Sequence, residues 1–368
     1  MGIELPATTK DITVEWLNEV LHENGFLGNN NIASLKHEVI GVGEGYTGDI
    51  ARILLTYDND SQQLPSKIIA KLPTSFEPLR TKCLQLGIYA REIQFYKEIA
   101  PSSPIRTPNC FFGDMDSEND KYVLLMEDCS RYSQLDFELE GINYEQAKAI
   151  TLAIAEFHAR WWNDTKLSSF STLDQPIDAV SENTTNDFRM MWEICSANED
   201  FKQSFPEGGY EVGKQQYEKF HLLKDAYPKN RLTIIHSDLR ADNVYFDNND
   251  NERPVIVYDW AMTMVWRGVA DISRLLGTSI DTDLRRDIEK DLIQWYHNRL
   301  IESGVSDYSY KECWEDYLMG YLCFTIFPLA AYALGDRSDA RGNKRAVQNI
   351  GRWFSAIVDN DAVSLLPQ

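Results

Sequence analysis

The stretch His236-Ser237-Asp238-Leu239-Arg240-Ala241-Asp242-Asn243 leads into two short strand-like runs, 243–247 and 254–258, and then into Asp259-Trp260. Between the runs lies Asn248-Asn249-Asp250-Asn251-Glu252-Arg253, a polar tract rich in turn-forming Asn and Asp. The pattern predicts a hairpin. Antiparallel pairing sets the start of one strand beside the end of the next, so Asn243 and Asp259 are expected at one edge, with Asp238 in the loop entering it. Asn243 and Asp259 then suit a hard divalent ion such as Mg²⁺, and Asp238 is placed to accept a proton from an alcohol.

Upstream, 36–42 and 49–57 read as strands around Gly43-Glu44-Gly45-Tyr46-Thr47-Gly48. The spacing is not the strand-to-helix glycine fingerprint of a dinucleotide fold; a hairpin whose Gly43, Gly45, Tyr46, Thr47 and Gly48 cover nucleotide phosphates fits better. An ordinary Gly-rich hairpin would look the same. A third strand, 66–72, carries Lys71 among apolar residues, where a buried ammonium needs an anionic partner. Glu92 and its rival Glu98 are the candidate partners, on a helix over 79–100 whose Leu84, Ile88, Phe95 and Ile99 recur at helical spacing. The strand 122–128 runs into acidic residues and is similar to the kinase hinge whose backbone reads an adenine edge, with Met126, Glu127, Asp128 and Cys129 as the candidate connection.

His-x-Asp followed at a fixed interval by Asn resembles the protein-kinase catalytic loop. His236-Ser237-Asp238 with the later Asp259-Trp260 is similar to the aminoglycoside phosphotransferase and choline kinase group, nearest to its ecdysteroid-kinase-like branch. Glycine hairpin, strand lysine, helix glutamate, connection and catalytic loop follow in kinase order, and Glu92 sits in a Glu-x-x-Phe-Tyr pattern that the group places there. The resemblance implies an α+β, protein-kinase-like two-lobe fold. A small N-terminal lobe with an antiparallel sheet, 1–128, would bind nucleotide, and a larger, mainly helical lobe, 129–368, would carry catalysis and the acceptor. It implies ATP as donor, with GTP as the alternative, and Mg²⁺ on Asn243 and Asp259. Lys71 would steady the α and β phosphates, Glu92 would hold Lys71, Asp238 would orient the acceptor hydroxyl, His236 would organise the loop and Asp271 would brace it.

The run after Asp259 passes straight into the expected helix at 269–276, with no room for an activation segment and no Ala-Pro-Glu motif. A peptide platform is therefore missing, and a small hydroxylated molecule is the expected acceptor. Arg240 is a second candidate catalytic residue, since a fixed guanidinium could neutralise charge on the transferred group; a salt bridge to Asp242 is the plain alternative. A pseudokinase that binds nucleotide or a partner without turnover is the alternative to an enzyme, and the joint presence of Lys71, Asp238, Asn243 and Asp259 counts against it.

With 36 basic and 57 acidic residues, net −21, nucleic acid and anionic membrane are poor partners. Asp187, Glu193, Glu312, Glu315 and Asp316, interleaved with Trp192, Trp314 and Tyr317, suggest a cationic acceptor, or else solvated helix faces packed through their aromatic sides. The scattered cysteines indicate neither zinc nor a disulfide framework. The start of the chain lacks the basic and apolar blocks of a signal peptide, so cytoplasmic residence is expected, and the uncharged run 318–334, interrupted by Pro328, reads as a buried helix.

Overall fold

The structure is a computed structural model and describes residues 3–40, 48–59, 63–134, 141–175, 178–226, 229–335 and 340–367. The chain divides into two compact units, Met1–Ser133 with Ile256–Met262, and Gln134–Val255 with Thr263–Gln368.

In the first unit, helix α1 (Val14–Glu23) precedes strands β1 (Ile32–Ile40), β2 (Gly48–Tyr57) and β3 (Lys67–Pro73). Helices α2 (Glu77–Gln85) and α3 (Ile88–Gln94) lead to β4 (Cys110–Asp116) and β5 (Lys121–Glu127). All five strands pair antiparallel in the order β1-β2-β3-β5-β4. Ala51, Ile53 and Leu55 are buried at alternate positions of β2, the period of a strand with one covered face. Ile53 and Leu55 share an apolar cluster with Ile68, Ala70 and Leu72 of β3, Val123 and Leu125 of β5, and Leu17, Val20 and Leu21 of α1. Each Val, Ile or Leu among them contributes about 1.5–3 kcal/mol on full burial. Thr13 starts α1 by accepting the Trp16 N–H at 3.2 Å.

The helix expected in one piece over 79–100 is broken. Gly87, at φ +67°, ends α2; the chain restarts as α3 and widens into a π turn over Phe95–Ile99. Strand β4 escaped the sequence reading because it lies at the sheet edge, carries Asp114 and Asp116, and loses its alternation at an irregularity between Cys110 and Phe112.

In the second unit the elements are α4 (Tyr144–Arg160), α5 (Glu182–Ser196), α6 (Glu199–Gln203), α7 (Gly209–Lys219), β6 (Thr233–Ile235) and β7 (Val244–Phe246). Strand β8 (Val255–Val257) straddles the division between the units. Then come β9 (Met264–Trp266), α8 (Ala270–Ser279), α9 (Thr282–Glu302), α10 (Tyr310–Phe324), α11 (Ile326–Leu334) and α12 (Ala340–Asp359). Every residue of α8 is buried, which makes it the axis against which α10 and α12 pack. The Asp247 N–H donates to Pro254 O at 2.8 Å and closes the loop expected over 248–253. Within that loop the Asp247 and Asp250 carboxylates accept the N–H groups of Asn249 and Glu252, at 3.1 Å each.

The stretch 188–201 is divided between α5 and α6, and α7 passes into a tight turn at Phe220–Leu222. The span Tyr310–Leu334 is long and apolar enough to cross a membrane by composition. Its Tyr317, Tyr321, Leu322 and Leu329 are fully buried, and Tyr321 O and Thr325 Oγ1 accept from the Trp353 indole. It is a core helix pair bent at Thr325, in keeping with the sequence reading.

Candidate active site

Strand alternation sets the first half of the site. Ala70 and Leu72 face the α1 side of the sheet, so Lys71 projects from the opposite face. There its Nζ lies 2.8 Å from Glu92 Oε2 on α3 and 3.1 Å from Asp259 Oδ1. The Tyr122 hydroxyl donates to the same Glu92 Oε2 at 2.8 Å. Burial works against the Lys71 charge, but Asp259 and Glu92 outweigh it and hold the ammonium above its ordinary range. Side-chain exposure rises from Glu92 (0%) through Lys71 (7%) to Asp259 (36%), so the row is anchored inside and opens at Asp259. Glu98, the rival, is exposed and accepts from Gln94 at 3.1 Å.

Asp259 has φ +61°, uncommon for a residue with a side chain. The neighbouring contacts hold it there. Trp260 stacks on Phe95 with centroids 4.0 Å apart and planes 6° off parallel, its indole donates to Val257 O at 3.0 Å, and the Val257 N–H reaches Arg106 O at 2.9 Å. These contacts tie 256–262 into the first unit.

Of the hairpin glycines, Gly48 is described and Gly43, Gly45, Tyr46 and Thr47 lie outside the described residues. A Cβ at Gly48 would sit 2.7 Å from Leu72 O, so β3 approaches too closely for a side chain. In the candidate connection, Met126 pairs with Ile69 and Cys110 in the sheet, and Cys129 opens a short 3₁₀ turn. The Glu127 carboxylate takes Asn109 at 2.8 Å and Arg131 at 2.7 Å, while Asp128 takes Arg52 at 2.6 Å and the Ser130 N–H at 2.8 Å. Those two side chains brace the connection, and the Glu127 N–H donates to Asn109 O at 2.8 Å.

The second unit carries the loop after β6. Its His236 and Ser237 N–H groups donate to the two oxygens of buried Asp271, both at 2.8 Å, and Ser237 is held at φ +59°. His158 lies 3.2 Å from Asp271 and 2.9 Å from the Tyr296 hydroxyl. The bracing role expected of Asp271 thus has direct hydrogen bonds behind it. Asp238 Oδ1 accepts from Arg274 Nη2 at 2.7 Å and Nε at 3.1 Å, and Arg240 Nε forms an ion pair with it at 3.1 Å. Asn243 Nδ2 donates to Asp238 O at 2.9 Å and reaches Oδ2 at 3.3 Å, so Oδ1 is the Asn243 atom suited to a metal. Burial opposes ionisation of Asp238, yet Arg240 and Arg274 draw its carboxyl down to about 2. Arg240 also pairs with Asp242 at 3.0 Å, the salt bridge named as its plain alternative.

Arg274 was not among the residues singled out in the sequence. The signal was its place one helical turn after Asp271, on the same side of α8. The acidic residues offered for a cationic acceptor are largely engaged: Arg231 pairs with Glu312, Arg267 with Asp316, and Glu193 accepts from Tyr217 at 2.7 Å. Trp192 is buried among Phe201, Tyr210 and Phe354. Among the described residues no group of three or more His, Cys, Asp and Glu forms a metal cluster. Asn243, in the second unit, and Asp259, in the first, each carry a side-chain oxygen of the kind Mg²⁺ prefers.

The profile of the ecdysteroid kinase-like family matches residues 42–306. A Caenorhabditis elegans protein named uncharacterized oxidoreductase dhs-27 is 23% identical over 331 residues; the match covers 82% of this chain and 39% of that protein, so this chain spans about two fifths of that relative's length. Among solved structures, a Ralstonia eutropha protein provisionally named an aminoglycoside phosphotransferase aligns with TM-score 0.57 at 14% identity, covering 96% of this chain and 98% of that one. The gentamicin complex of APH(2")-IIa gives 0.53 at 14%, covering 94% and 97%. Choline kinase from Cryptosporidium parvum gives 0.52 at 12%, covering 89% and 91%. These likenesses show an α+β, protein-kinase-like fold.

Proposed function

This chain belongs to the ecdysteroid kinase-like family, and we propose that it transfers the γ-phosphoryl group of ATP to a hydroxyl of a small molecule. The observation that carries the reading is the Lys71 ammonium held between buried Glu92 and the more exposed Asp259. A cation fixed in that way is preorganised for phosphate oxygens and needs no rearrangement to meet them. Asn243 and Asp259 would hold Mg²⁺, which when bound offsets charge on the phosphate oxygens. Asp238, ionised across the physiological range, orients the acceptor hydroxyl and takes its proton as the new P–O bond forms and the bond to ADP breaks. Arg240 places a permanent positive charge beside the same carboxylate. With Glu312 and Asp316 already ion-paired, a neutral alcohol is favoured over an amine as acceptor.

The test is nucleotide consumption with ATP or GTP and Mg²⁺ against pooled alcohols and aminoalcohols, with Asp238→Asn as control. Acceptor-dependent consumption by the wild type alone supports the reading. Nucleotide binding without transfer across the panel would instead favour the pseudokinase alternative.

A further inference from the structure

We propose that Arg274 is a positioning residue for the Asp238 carboxylate, an inference that rests on the phosphotransfer reading above. Asp271 and Arg274 stand one turn apart on α8 and project from one face. Asp271 fixes the backbone of His236 and Ser237, and Arg274 fixes the side chain of the next residue. A single buried helix therefore holds both the path of the loop and the direction of its carboxylate.

The grip is specific. Nε and Nη2 of Arg274 both address Oδ1 of Asp238, while Oδ2 stays within 3.3 Å of the Asn243 amide. The terminal torsion of an aspartate is broad and roughly two-fold, so a carboxylate without such a clamp can turn about its axis. Arg240 cannot do this alone, because it is divided between Asp238 and Asp242. The Arg274 guanidinium is itself held, lying 4.9 Å from the Phe327 ring centroid and 6.0 Å from that of Trp353, with its side chain 8% exposed. A planar group stacked in this way loses little freedom when it binds. Burying a guanidinium is costly, and an apolar side chain here would match it in stability only if its partner Asp238 were replaced as well. What the apolar side chain could not supply is the orientation of Asp238.

The experiment compares wild type, Arg274→Met and Arg274→Lys in MgATP consumption with the pooled-alcohol panel, with thermal unfolding confirming which variants are folded. The expected result is a kcat lower by about 100-fold in Arg274→Met, with the KM for MgATP within about threefold of wild type and partial recovery in Arg274→Lys. A folded Arg274→Met with wild-type kcat overturns the proposal. If the wild type turns over nothing, the phosphotransfer reading fails separately, and crystal structures of the two variants decide the present inference. Asp238 rotated away from Asn243 in the variants upholds it; an unmoved carboxylate overturns it.

Discussion

Lys71 of β3 and Glu92 of α3 meet at 2.8 Å in the interior of the first unit, where the Tyr122 hydroxyl closes on the same carboxylate oxygen. Breaking such a pair leaves a charge buried without its counterion, so Lys71→Met should cost about 3–5 kcal/mol, read as a shift in the denaturant midpoint. Pairing it with Glu92→Leu should recover most of that loss. Phosphoryl transfer should remain abolished in the double variant, which separates the ammonium's part in chemistry from its part in folding.

Arg240 touches both Asp238 and Asp242. If its charge stabilises the transferred group, Arg240→Ala should lower kcat by about 10²–10³ with little change in nucleotide affinity. An unchanged kcat would reduce it to a salt bridge.

Gly268 lies where a Cβ would stand 2.3 Å from the Tyr296 hydroxyl and 2.7 Å from His158 Nδ1. Gly268→Ala should therefore destabilise the fold by about 1–3 kcal/mol and lower turnover, because His158 also contacts Asp271 and, through it, the loop before Asp238. Equilibrium unfolding and turnover measured together check both effects.

Acid should weaken the first unit through Asp128. Burial raises its carboxyl, but Ser130 and Arg52 outweigh that and hold it below its ordinary value. A folded value below the unfolded one means that the contribution is present above about pH 4 and is lost as pH falls through the folded value. Asp128→Asn should flatten the acid limb of the stability profile below about pH 5, measured by chemical denaturation.

Much of the candidate site was legible because its residues break local rules. Lys71 interrupts an apolar strand, and Asp259 ends one beside a turn-rich hairpin. The choice of Glu92 over Glu98 rested on family pattern, and the structure places Glu92 inside and Glu98 outside. Arg274 was signalled only by its place one turn after Asp271, since its partner, 36 positions earlier in the chain, is brought to it by tertiary packing. The bracing roles of Glu127 and Asp128 were not legible, since they depend on Asn109 and Arg52 from distant strands and loops. The break at Gly87 was hidden by apolar spacing that continues through it.

The central claim is that Lys71, Asp238, Asn243 and Asp259 serve one phosphoryl transfer. Its most direct test follows radiolabelled γ-phosphate from MgATP into chromatographically resolved products, for wild type beside Asp259→Asn and Asp238→Asn. Label appearing in a small alcohol with the wild type, and in neither variant, is the predicted result. Label transferred equally by all three, or by none while nucleotide still binds, would contradict it.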